Sequence, residues 1–215
     1  MVLTARRENS TGGKMDPEDN YPCEDLYQSF KVNGKWTPVQ NFGPIVNSDE
    51  HDATAGLSSD GSIMFIFKSK KSDGGDIYQT NLVGNTWSKP EHLNKNINSK
   101  YHESSVSISY DGKRLYFISD REGGIGAHDI YYSDKDAKGE WGQSVNIGSS
   151  LNTKYSEEAV FIHPDGKTIY FSSKGHKTMG GYDVFKSTFE NGKWGEPVNM
   201  GYPINGPDDD VFFVI

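Results

Sequence analysis

Only one cysteine, Cys23, stands in 215 residues, so no disulfide can form within the chain. No apolar run approaches the roughly 18 residues that a membrane-spanning helix needs. The opening Met1-Val2-Leu3-Thr4-Ala5-Arg6 lacks the apolar stretch of a signal peptide. Positive charge is scarce as well: 22 Lys and Arg face 30 Asp and Glu, a net charge of −8. Such a chain repels nucleic-acid backbones and anionic membrane surfaces, so neither nucleic acid nor direct membrane insertion is expected. Catalytic spacing is missing too. No Ser-His-Asp arrangement, nucleophile elbow or phosphate cradle stands out, and a non-enzymatic role is the expectation.

What the chain does have is repetition. Tryptophan recurs about every fifty residues, at Trp36, Trp87, Trp141 and Trp194, a period that signals a solenoid, propeller or array. An Asp-aliphatic-aromatic triplet keeps step at Asp25-Leu26-Tyr27, Asp76-Ile77-Tyr78, Asp129-Ile130-Tyr131 and Asp183-Val184-Phe185. So does an asparagine, at Asn47, Asn98, Asn152 and Asn205. Aromatics at 13% supply the buried area that a chain with only 33% apolar residues would otherwise lack.

The third copy shows how one unit folds. Ser105 to Ser109 alternates, Asp111-Gly112 turns the chain, and Arg114 to Ile118 runs apolar, which is a hairpin signal. A Gly-rich loop then leads to a strand at Asp129 to Tyr132, and a last strand is expected from Trp141 to Ile147. Four short antiparallel strands, here a to d, make one blade of a β-propeller, and the fold class is all-β. The repeats fall at approximately 1–52, 53–103, 104–157 and 158–210 of a single domain. Residues 211–215 match strand a, and residues 1–5 match strand b, so the two are expected to pair and close four blades. A slice of a longer propeller is the alternative.

The phrase His163-Pro164-Asp165-Gly166-Lys167-Thr168-Ile169-Tyr170-Phe171-Ser172-Ser173, with Ser119-Asp120-Arg121 in the third copy, resembles the WD40-like β-propeller repeat of the TolB type. Three further stretches are similar to the propeller segment of the OmpA-family envelope proteins of Bacteroidetes. They are Arg6 to Lys14, Lys174 to Asp183, and Pro207 to Phe213. The resemblance implies a scaffold that binds protein partners of the cell envelope, in the periplasm or at the outer membrane. It does not carry peptidoglycan binding over, because the domain that binds peptidoglycan in those proteins is not in this sequence.

Candidate site residues fall in two groups. Asp52, Glu103, Glu157 and Asp210 each follow the repeat asparagine by five residues, at the start of strand a. A ring of four carboxylates at one mouth of the propeller could hold Ca²⁺ or another cation on the axis. Equally, each could cap backbone N–H groups at a repeat-encoded joint, with no cofactor at all. The second group lies in an insertion that only the first copy carries, Lys14 to Glu24, where Asp16, Glu18, Asp19 and Tyr21 are expected to meet a partner. The tryptophans are expected to pack between blades. His51 and His102 share an aligned position, and two such histidines a blade apart could bind a metal. Glycan binding at the channel mouth is the competing function, but a sialidase-like site needs clustered arginines. Only Arg6, Arg7, Arg114 and Arg121 exist, with Arg6 and Arg121 read as matched, and Lys71 and Gly175 as the other occupants.

Overall fold

The computed structural model describes residues 1–69 and 74–213. Apart from one separate two-stranded hairpin, the described strands fall into four small antiparallel sheets, one per repeat, and these are the blades of a four-bladed β-propeller. Two compact units divide them, Met1–Leu93 and Asn94–Ile215. Among the described residues the only helical turn is the short one at Thr11–Gly13.

In the first unit, blade one contains β1 (Val2–Arg6), β2 (Glu24–Gln28), the hairpin pair β3 (Lys31–Val32) and β4 (Lys35–Trp36), and β5 (Gln40–Asn41). Blade two contains β6 (His51–Leu57), β7 (Ile63–Ser69), β8 (Asp76–Val83), β9 (Thr86–Trp87) and β10 (Glu91–His92). In the second unit, blade three contains β11 (Glu103–Ile108), β12 (Arg114–Ser119), β13 (Asp129–Asp134) and β14 (Val145–Asn146). Blade four contains β15 (Glu157–Ile162), β16 (Thr168–Ser173), β17 (Asp183–Glu190), β18 (Lys193–Trp194) and β19 (Val198–Asn199). Strand b is the buried one, as its double-sided apolar pattern requires: all six residues of β16 are buried, and so are five of six in β12.

The outer strand departs from expectation. It is not continuous from the tryptophan onward, because Pro38, Pro90 and Pro197 interrupt the ladder in three of the copies and cannot donate to it. In those copies the tryptophan closes a small hairpin on the tail of strand c, and strand d proper is two residues long. In the third copy Trp141 makes only a bridge to Lys135. A hydroxyl two residues beyond each triplet aromatic holds the crossing chain: Ser29, Thr80, Ser133 and Ser187 donate to the carbonyls of Thr37, Ser88, Gly142 and Gly195.

The repeat asparagine explains why it travels with the triplet. Asn152 Oδ1 accepts from Ile130 N at 2.8 Å, and its Nδ2 donates to Ile130 O at 3.0 Å and to Asn146 Oδ1 at 2.9 Å. Asn47 does the same with Leu26 and Asn41, and Asn205 with Val184 and Asn199. A side-chain amide thus fills the two backbone valences that a neighbouring strand would otherwise take. The triplet aspartates cap the Gly-rich loop before strand c: Asp129 accepts from Ile125 and Gly126 N–H, and Asp183 from Met179 and Gly180. Gly124 must be glycine there, since a Cβ would stand 2.4 Å from the Asp129 carboxylate.

The expected closing pairing of residues 1–5 with 211–215 rests in part on residues outside those described. The first sheet runs β1-β2-β5, so β1 forms its edge, and Val211 to Phe213 lie in no strand. Residues 214 and 215, which belonged to the expected closing strand, lie outside the described residues.

Candidate functional site

The strand-a carboxylates Asp52, Glu103 and Glu157 are fully buried. Each reaches back four residues to the loop that precedes it. Asp52 accepts from the backbone N–H and hydroxyl of Ser48, Glu103 from those of Ser99, and Glu157 from those of Thr153. Asp210 accepts from Gly206 N–H at 2.6 Å. The dipeptide at a blade junction is therefore two-sided. Asn47 and Asn152 bind back onto the blade just completed, and Ser48 and Thr153 bind forward to the acid of the next blade. The carboxylates are engaged in these joints, and among the described residues no three His, Cys, Asp or Glu side chains gather where they could hold a metal ion.

What strand b offers each acid differs from blade to blade. Lys68 ion-pairs with Asp52 and donates to Val46 O at 2.7 Å. In blade three, Ser119 takes the register position of Lys68 and donates to Glu103 at 2.8 Å, while Arg121, two residues on, reaches Glu103 at 3.0 Å. The Arg121 guanidinium also donates to the carbonyls of Asn96 and Ile97 and lies over the rings of Phe117 and Tyr131. In blade four, Ser173 donates to Glu157 at 2.8 Å, but Gly175 stands where Arg121 would be. His176 fills the space instead, with Nε2 3.0 Å from Leu151 O and its ring against Phe171 and Phe185. Val46, Ile97 and Leu151 each precede the repeat asparagine. Lysine, arginine and histidine at three different offsets thus converge on one equivalent carbonyl.

Burial raises the Asp52 carboxyl above its ordinary pKa, against the attraction of Lys68. Burial likewise carries Glu157 up, to about 7, with its hydroxyl and backbone donors acting in the opposite direction. The sequence did not announce these partners, because Lys68, Arg121 and His176 do not align. Ser48, Ser99 and Thr153 were legible, since each follows the repeat asparagine directly.

The register also corrects one pairing. Ala5 sits opposite Asp25 as Ser119 sits opposite Asp129, so Arg7, not Arg6, occupies the place of Arg121. The Arg7 guanidinium accordingly lies 5.3 Å from the Tyr27 ring centre. Lys71 lies outside the described residues. Arg6 instead builds the inserted loop. It pairs with Asp16, Asp19 and Glu24, while His51 Nε2 stands 3.4 Å from Asp16. Asp16 is buried and also accepts from Glu18 N–H, and Asp19 accepts from Tyr21 N–H. A bridge between Met15 and Pro22 closes the loop's neck. Of the four residues expected to meet a partner, then, Asp16 and Asp19 shape the loop, whereas Glu18 and Tyr21 face solvent, Tyr21 at 63% exposure. His51 is taken up here, and His102 has its ring 6.2 Å from that of His128.

The tryptophans divide. Trp141 is 5% exposed and Trp87 and Trp194 are half-buried on the core clusters of their units, but Trp36 is 54% exposed.

No family model matches the chain, and no curated protein does. Solved structures do. TolB from Acinetobacter baumannii is 17% identical and superposes at a TM-score of 0.56, over 91% of this chain and 40% of that one. A structure assigned as TolB from Agrobacterium tumefaciens is also 17% identical, with a TM-score of 0.50, over 82% of this chain and 60% of that one. A periplasmic gluconolactonase from Pseudomonas aeruginosa is 18% identical at a TM-score of 0.49. The chain spans less than two thirds of either TolB chain, and at these identities the likeness is one of fold: a β-propeller of the kind found in TolB.

Proposed function

We propose that this chain is a non-enzymatic protein-interaction module of a bacterial cell envelope, periplasmic or outer-membrane-associated, akin to the propeller segment of OmpA-family proteins. The observation that carries this reading is the inserted loop of blade one. Many repeat residues elsewhere are engaged in joints and caps, and the insertion is particular to the first copy. It is braced by Arg6 from within, so Glu18 and Tyr21 are presented on a fixed frame with Met15, itself 44% exposed, beside them. A rigid aromatic with an acidic neighbour is the composition of a protein contact with a basic or mixed surface.

The buried acids supply no reactive group that a substrate could reach, which favours binding over chemistry. The resemblance of the Lys174 to Asp183 and Pro207 to Phe213 stretches to envelope propellers supports the location. The test is photo-cross-linking through a probe at position 21 in an envelope extract of the source cells. One protein captured by the native loop, and lost with Glu18→Ala, is the expected result. Capture indifferent to Glu18, or labelled glycan in place of protein, would overturn the reading.

A further inference from the structure

Blade four crosses from strand c to strand d much as blades one and two do, but one side chain is missing from its crossing. In blades one and two the crossing residue carries a hydroxyl. Phe30 N–H donates to Thr37 Oγ1 at 3.0 Å, and Asn81 N–H donates to Ser88 Oγ at 3.1 Å. The same two residues return a backbone bond, Thr37 N–H to Phe30 O and Ser88 N–H to Asn81 O. In blade four Gly195 N–H donates to Thr188 O at 2.9 Å, so Thr188 and Gly195 are the corresponding pair. The N–H and C=O of a strand residue leave on the same side, so Thr188 N–H also faces the crossing chain. Gly195 offers it no hydroxyl.

The backbone does not require that glycine. Its φ is not positive, and a Cβ there would meet only the Thr188 carbonyl oxygen, at 3.4 Å, an ordinary contact. Gly142, its counterpart in blade three, is tighter, with a Cβ 3.0 Å from Asp134 O. In blade four the missing side chain opens onto a cavity of about 480 Å³, within the roughly 300–1,000 Å³ that small ligands occupy. Lys186, Lys193, Glu190 and Glu196 border it together with Thr188 and Val198, all within one blade of the second unit. Among the described residues none of the four charged groups enters an ion pair.

We propose that this cavity binds a small zwitterion of the amino-acid type. The ligand carboxylate accepts from Thr188 N–H, in the place that the Thr37 and Ser88 hydroxyls take in blades one and two, and Lys186 and Lys193 supply the countercharge. The ligand ammonium lies toward Glu190 and Glu196, and its side chain against Val198. A border with equal numbers of both charges favours a ligand that carries both over a net anion or cation. The site uses no residue of the inserted loop, so it stands or falls apart from the function proposed for that loop.

Amide chemical shifts of the full chain, titrated with each of the twenty free amino acids, test this. At least one should move the Thr188 and Gly195 amides saturably, with a Kd below about 1 mM. The N-acetylated and the carboxamide forms of that amino acid should each bind about tenfold more weakly. Gly195→Ser restores the hydroxyl found at Ser88, where a Cβ has room, and should weaken binding by a similar factor. Glu196→Gln, at an exposed position, should weaken it as well. No saturable shift with any of the twenty overturns the proposal. So does binding that either cap, or both substitutions, leave unchanged.

Discussion

Blades three and four carry the same buried carboxylate in the same frame, and they neutralise it differently. Glu103 and Glu157 both sit at the first residue of strand a, both accept from a Ser or Thr four residues earlier, and both accept from a strand-b serine at 2.8 Å. Glu103 also has a guanidinium at 3.0 Å; Glu157 has none. The cause lies in packing. At Gly175 a Cβ would stand 2.2 Å from Thr153 Oγ1, so no side chain fits where Arg121 fits in blade three. His176 repairs the packing and the carbonyl bond, at a positive φ of 54°, without supplying the acid with a cation. One repeat solves its desolvation problem with an ion pair, and the next solves it by holding a proton more tightly. The lesson is that a repeat conserves the shape of a joint more strictly than its charge balance.

Removing the guanidinium should have the largest effect. Arg121→Met leaves a buried carboxylate uncompensated and should lower stability by about 4 kcal/mol in denaturant titration at neutral pH. The double variant Arg121→Met with Glu103→Gln should recover much of that loss, since a neutral hydrogen-bonded pair avoids the stranded charge. Equal stability of the single and double variants would break the contrast between the blades.

Next in size is the pH dependence of blade four. Glu157 titrates at about 7 in the folded state against an ordinary 4.5, so folding favours its protonated form. The stabilisation is complete below the unfolded value, falls as pH rises from 4.5 to 7, and stays lost above that. The change amounts to on the order of 3 kcal/mol over that window. Glu157→Gln should flatten this part of the stability profile relative to the native chain. An unchanged slope would mean that the carboxylate is solvated after all.

A smaller effect sharpens the role of the histidine. His176→Phe keeps an aromatic among Phe171 and Phe185 but leaves the Leu151 carbonyl without its partner, a cost of about 1 kcal/mol. The slope contributed by Glu157 should survive in this variant. If it vanished, His176 would be acting on the acid and not only on the carbonyl.

Much of this architecture was legible in the sequence. The period gave the blades, the Asp-Gly turns gave the hairpins, and the shared spacing of asparagine and triplet reflects two hydrogen bonds between them. The reading of the acids as joint residues could be made because Asn-Ser, Asn-Ser and Asn-Thr precede them at fixed distance. The side chains that meet the equivalent carbonyl could not be found, since Lys68, Arg121 and His176 reach it from different positions, and only the fold brings those positions together. The Arg6 and Arg7 register escaped for a related reason: both are basic, and only pairing with β2 separates the loop brace from the ring partner. Strand d failed because the tryptophan pattern looks continuous, while the prolines that end the ladder are single residues. Within the inserted loop, charge alone could not tell the braced Asp16 and Asp19 from the presented Glu18.

The asparagine at each junction has a consequence for how such chains arise. In Asn152-Thr153 the amide fastens the end of one repeat to that repeat's own third strand, and the following hydroxyl reserves a seat for the next acid. A copied stretch of about fifty residues therefore brings its own fastener and its own socket. Lengthening the chain by tandem duplication requires no new contact to evolve. Divergence is then free to accumulate where the fastener has no hold, in an inserted loop or in the choice of cation.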